Sequence, residues 1–183
     1  ALEDARDYAL GGCLDAMLPG GSRTSAIGMF VVPLVLELAL NDGVERRSGR
    51  QLGPRTGLLE DFATFDELMA AFKRQLTHFM KLAAEEHDIL LCAQRELFPD
   101  AFHAELMDDA LMVGRDVLDR VLPFENGSVL NPVGMINAAD SLAAIKRLVY
   151  DERVVPAAEL RAALAADWAG SEALQLSLIH ISE

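Results

Sequence analysis

The run "TFDELMAAFKRQLTHFMKLAAEEHDILLCAQREL" constrains this chain more than any other. Thr64 and Glu67 stand at the spacing of a capping box, in which each side chain satisfies an amide left orphaned by the first helical turn. Behind them Leu68, Phe72, Leu76, Phe79 and Ala83 recur at three- and four-residue steps, the signature of one helix face. Pro99 and Asp100 break the pattern. The chain of 183 residues is therefore expected to be helix-rich, and it is long enough for one domain with a sizeable core.

The remaining segments read around that helix. Residues 11 to 25, rich in Gly, Ser and Pro, predict a loop. Helix signals begin near Met29, with Pro33 in the first turn and Asn41 and Gly43 at the end. "VERRSGRQLGPRTG" predicts a second long loop. Its arginines, Arg46, Arg47, Arg50 and Arg55, stand out as the basic concentration of an acidic chain. They read as solvated loop charge or as an anchor for a carboxylate or a neighbouring subunit. "DAFHAELMDDALMVG" predicts one helix ending at Gly114, and "LPFENGSVLNPVGMI" a loop and a short buried strand. Asn137 is the expected N-cap of a helix with Leu142, Ile145 and Val149 on one face. Pro156 opens a last helix, with Leu160, Leu164 and Trp168 on one stripe. The ending "LSLIHISE" resembles a translated sequencing adapter. Residues 171–183 are accordingly expected to be a non-native-looking, disordered tail, and residues 1–170 one domain.

Charge and motifs exclude several chemistries. A net charge of -13 argues against nucleic acid and against an anionic membrane surface. The apolar run from Ala26 to Leu40 contains Pro33 and Glu37 and falls short of the ~20 residues that a spanning helix needs. Two cysteines, Cys13 and Cys92, are too few for a disulfide scaffold and suit thiols in a reducing cytoplasm. None of His78, His87, His103 and His180 lies three or four places from another, so no bound metal is expected. Neither phosphate-loop glycine pattern occurs, and no GxSxG occurs. The chain opens without methionine on "ALEDARDYAL", which reads as the interior of a longer protein.

"GGCLDAML" remains. Cys13 is either a small buried residue in a glycine turn or a group held out for chemistry. A thiolate nucleophile needs a basic neighbour, and Asp15 would instead raise the thiol pKa. A cysteine that gives up a hydrogen atom has no such need.

Here the sequence resembles the glycyl radical enzymes, the pyruvate formate-lyase-like group. Gly12-Cys13-Leu14-Asp15 is similar to their Gly-Cys-x-Glu segment, with the shorter acid. "LVLELALNDG", "SGRQLGPRTG", "TFDELMAAFKRQL" and "ADSLAAIKRLVYDE" follow in the family's order, so the likeness covers about residues 7 to 170. The resemblance implies an α/β fold, the helix-rich C-terminal part of the family's ten-stranded α/β barrel. It implies that Cys13 becomes a thiyl radical and that Asp15 moves a proton. Its cofactor is a glycyl radical, on a C-terminal segment that this sequence lacks. Its partners are a small-molecule substrate and an S-adenosylmethionine-dependent iron-sulfur activating enzyme, with a homo-oligomer open when full length. Glu125, in a loop beside the expected strand, is a candidate second acid or a solvated or capping residue. A lone cysteine disfavours thiol acyl transfer. The apolar Leu14, Met17 and Leu18 lean toward an aromatic substrate, hence an arylacetate-decarboxylase type. A dehydratase of a small diol or hydroxy acid is the alternative. The fragment is not expected to turn over alone, and a non-catalytic helical module is the rival outside enzymes.

Overall fold

The computed structural model of the chain describes residues 2–11, 15–18, 22–116 and 124–179. It opens with α1 (Leu2–Arg6), then strands β1 (Ala9–Gly11), β2 (Asp15–Met17) and β3 (Ser22–Val31). Helices α2 (Val32–Leu40), α3 (Phe65–Leu97), α4 (Ala101–Glu105) and α5 (Asp108–Val113) follow. Strand β4 (Phe124–Val133) leads to α6 (Met135–Ile145), a π-helical turn (Lys146–Asp151), α7 (Ala157–Ala165) and α8 (Glu172–Ile179). Two compact units result, one from residues 1–29 and 82–131, the other from 30–81 and 132–183.

The second of these units holds the larger core. The sequence of α2, "VPLVLELAL", is apolar on nearly every side, so Val35, Leu36, Leu38, Ala39 and Leu40 are all buried. Pro33 occupies its first turn, where a missing N–H costs nothing. At its end the Gly43 amide donates to the Leu38 carbonyl at 2.7 Å, with φ at 78°. The expected capping box of α3 forms. The Glu67 amide donates to Thr64 Oγ1 at 3.3 Å, and Glu67 Oε2 accepts from the Thr64 and Ala63 amides at 3.4 and 2.7 Å. Leu68 and Phe72 are buried, and Leu76 and Phe79 pack on the same core, which Ala138, Ile145, Leu148 and Leu160 complete. Each fully buried leucine there is worth roughly 1.5–3 kcal/mol relative to exposure.

Several boundaries differ from the sequence reading, each for a physical reason. Residues 11 to 25 are not one loop: Gly11 ends β1, β2 follows, and β3 begins at Ser22. β4 is longer than a short strand and runs straight through Asn126-Gly127. It pairs with β3, and that distant ladder overrides the local turn signal. The expected helix after Pro99 is two, separated at Leu106 and Met107, and the second ends at Gly114 with φ at 62°. The N-cap of α6 lies three residues before the expected one. Gly134, with φ at 76°, precedes Met135, and a side chain at 134 would stand 2.8 Å from the Pro33 ring. The C-terminal stretch, expected without order, is helical over Glu172–Ile179, because Leu174 and Leu178 find the core to pack against.

In the other unit the described residues bury little apolar surface. Ala110 and His87 are buried, whereas Leu97, Phe98, Phe102, Leu106 and Met112 are exposed, Met112 by 86%.

Candidate active site

β1 and β2 pair antiparallel in the register Ala9 with Met17, Leu10 with Ala16, and Gly11 with Asp15. The sequence read this segment as a glycine loop, yet its two arms are strands. Asp15 is the first residue of β2, and its pairing with Gly11 flanks residues 12–14. Cys13 is one of those three and lies outside the described residues. Glu125 does not sit in a loop, as expected, but is the second residue of β4. It therefore belongs to the other two-stranded ladder, β3 with β4, and not to the hairpin that carries Asp15. The loop expectation failed because the pairing that extends β4 is non-local.

The arginine-bearing loop is tied down rather than free. Asp42, with φ at 52°, accepts the Gly57 amide on Oδ1 at 2.8 Å and Arg55 Nη1 on Oδ2 at 3.1 Å. The Gly57 amide is the main cause that holds the Asp42 carboxyl below its ordinary range, with Arg55 adding to it. Gln75, fully buried on α3, donates to the Pro54 carbonyl at 2.7 Å and to Thr56 Oγ1 at 2.9 Å. Arg74 donates to the Thr56 carbonyl at 3.3 Å, and Arg46 to the Leu164 carbonyl. Two of the four loop arginines thus bind groups of this chain itself.

Three features escaped the sequence reading. A second basic concentration lies on α3, where Lys73, Arg74, His78 and Lys81 fall within a little over two turns. A cavity of about 480 Å³ is lined by Glu37, Arg46, Asp140, Arg161 and Trp168 over an apolar floor. Arg161 and Glu60, 101 positions apart, form a two-pronged ion pair at 2.5 and 2.7 Å. Charge spacing along α3 was a usable signal for the first. The other two depend on long-range packing, and no local pattern announces them.

Among the described residues no set of three or more His, Cys, Asp or Glu side chains gathers as a metal site. No helix among them is long and apolar enough to cross a membrane. His103 instead serves a helix end, its Nδ1 2.5 Å from Asp100 Oδ2 and its amide on the same carboxylate.

A sequence model of pyruvate formate lyase-like proteins matches residues 1–183. The chain belongs to the pyruvate formate lyase-like family. It is 34% identical over 174 residues to the (2S)-3-sulfopropanediol dehydratase of Klebsiella oxytoca, covering 94% of this chain and 21% of that one. The hydroxyproline dehydratase of Clostridioides difficile, solved with trans-4-hydroxy-L-proline bound, superposes with a TM-score of 0.88 at 29% identity. That match covers 94% of this chain and 22% of its counterpart. The indoleacetate decarboxylase of Tractidigestivibacter scatoligenes is 29% identical over 170 residues, covering 89% of this chain and 18% of the relative. The chain thus spans about a fifth of the length of these relatives. Its fold is the helix-rich portion of the α/β barrel of glycyl radical enzymes, and its relatives are lyases of that family.

Proposed function

We propose that the protein containing this chain is a glycyl radical dehydratase of a small hydroxylated substrate. The supporting observation is the family match across the whole chain, and Gly12-Cys13-Leu14-Asp15 resembles the family's Gly-Cys-x-acid segment. Two of the relatives at or near 30% identity carry dehydratase names, which favours this reading over the arylacetate decarboxylase expected from the sequence.

When formed, a glycine radical elsewhere in the polypeptide would supply the acceptor for the hydrogen atom of the Cys13 thiol. The Cys13 sulfur radical then takes a hydrogen atom from the carbon bearing a hydroxyl. An S–H bond forms, and the unpaired electron passes to that carbon. Asp15 accepts the proton of this hydroxyl, and the neighbouring hydroxyl departs as water with that proton. The product radical recovers the hydrogen atom from Cys13. The substrate loses one water, and no external oxidant or reductant is consumed. Glu125 is a candidate second acid in this reading, an iron-sulfur activating enzyme is the partner, and the setting is cytoplasmic.

A second reading, decarboxylation of an arylacetate, draws on the apolar Leu14, Met17 and Leu18 and on the indoleacetate decarboxylase relative. Anaerobic activation of the full-length protein, followed by product analysis with diols, hydroxy acids and arylacetates, separates the two. Water loss from a hydroxylated substrate is expected. Turnover of arylacetates alone overturns the dehydratase reading.

A further inference from the structure

The basic stretch of α3 has no part in the proposed reaction. Lys73, Arg74, Thr77, His78 and Lys81 line a shallow groove of about 380 Å³, and α3 alone supplies its walls. Lys73, Arg74 and Lys81 are exposed, and His78 is half-buried with its ring against Phe79. At four-residue steps Lys73, Thr77 and Lys81 form one row, with Arg74 and His78 in the row beside it. Like charges so placed repel one another and weaken a helix. The chain holds 29 acidic residues against 16 Lys and Arg, so carboxylates to offset them are plentiful. Elsewhere in the same unit Arg55, Lys146, Arg147 and Arg161 each take one, at 2.5 to 3.1 Å. Among the described residues Lys73, Arg74, His78 and Lys81 take none. Arg74 instead donates to the Thr56 carbonyl, which fixes its head group and leaves further N–H donors unused.

Reach and surroundings select the partner. From Lys73 to Lys81 the cations span ~12 Å of helix axis. With no second wall, a small anion would stay largely in water, where a single ion pair is worth little. A segment long enough to span the groove engages all the cations at once. Along α3 carboxylates bracket the stretch, Asp66 and Glu67 before it and Glu85, Glu86 and Asp88 after it. A long polyanion such as nucleic acid would overrun the cations into like charge. We propose that this groove of α3 is a docking surface for a short acidic segment of a partner protein, a helix with carboxylates at four-residue spacing. The surface stands whether or not Cys13 carries a hydrogen atom.

Fluorescence anisotropy on the unactivated full-length protein tests it. The probes are a labelled helical peptide with glutamate at every fourth position, its glutamine counterpart and a short labelled single-stranded DNA, with pyrophosphate as unlabelled competitor. The glutamate peptide should bind, and more weakly as salt rises. Lys73→Glu combined with Lys81→Glu should weaken that binding about tenfold or more, with Lys73→Gln and Lys81→Gln between. Arg50→Glu, the same charge reversal in the arginine-bearing loop, should change it less than about twofold. Far-UV circular dichroism reads whether each variant keeps its helices, and the glutamine pair carries the test where charge reversal unfolds the protein. Absence of glutamate-peptide binding overturns the proposal. So does equal binding of the glutamine peptide or the DNA, displacement of the glutamate peptide by equimolar pyrophosphate, or an Arg50→Glu effect as large as that of the lysine pair.

Discussion

At Gly43 the chain turns with φ at 78°, and a Cβ there would lie 2.4 Å from the Pro54 carbonyl oxygen. That oxygen is held by Gln75, so it has little freedom to yield. Gly49 has a similar φ of 68° but open space around it. Gly43→Ala should therefore lower the stability of the chain by more than about 2 kcal/mol, and Gly49→Ala by only about 1 kcal/mol. Urea unfolding of both variants, with unchanged slope, checks the difference. The arginines and most of the glycines were visible as loop residues in the sequence. Their mutual arrangement was not, because Asp42 with Gly57 and Gln75 with Pro54 meet across 15 and 21 positions. The same limit applies to Asp15. Its spacing from Cys13 is legible in the sequence, whereas its pairing with Gly11 depends on strands that a glycine-rich segment does not advertise.

Among the elements, helices announced themselves best because their determinants are local. The start of α3 followed from Thr64 with Glu67 and the end of α5 from Gly114, whereas α2 begins at Val32, with Pro33 in its first turn, and the expected start near Met29 lies in strand β3. Thr64→Ala should cost about 1 kcal/mol by removing a cap, and Leu68→Ala about 3 kcal/mol by opening the core; thermal and urea unfolding measure both. The turn after α6 shows where helical spacing misleads. Lys146 pairs with Asp151 and Arg147 with Glu152, both five apart, which is the period of the π-turn and not of an α-helix. Between elements, Arg161 of α7 holds Glu60 of the short 3-10 turn Leu59–Asp61. The Arg161 hydrogen bonds are the main cause that lowers the Glu60 carboxyl below its ordinary value of 4.5. A lowered carboxylate contributes stability above the unfolded value and loses it as pH falls through the folded one. Glu60→Gln should thus destabilise by about 1 kcal/mol at pH 7, and the gap to the parent should close as pH drops below about 4.

At the scale of the whole molecule, two compact units with unequal cores carry a dynamic consequence. Amides of Leu36 to Leu40 in α2 should exchange slowest, because that segment is buried on nearly all sides. Amides of α4 and α5, short helices with exposed apolar side chains, should exchange orders of magnitude faster. Hydrogen exchange read by mass spectrometry checks this, and uniform protection would contradict it. The family was legible in the sequence because its signal is spread along the chain, from Gly12-Cys13 to "ADSLAAIKRLVYDE". The substrate class was not.

In the proposed reaction everything depends on Cys13 carrying the hydrogen atom. Its most direct test is turnover of the full-length protein, activated anaerobically, with Cys13→Ser beside the parent on the substrate that the parent accepts. The serine O–H bond is too strong to enter the relay, so the variant should form no product above background while folding and binding substrate normally. Parent-like turnover in Cys13→Ser would contradict the account.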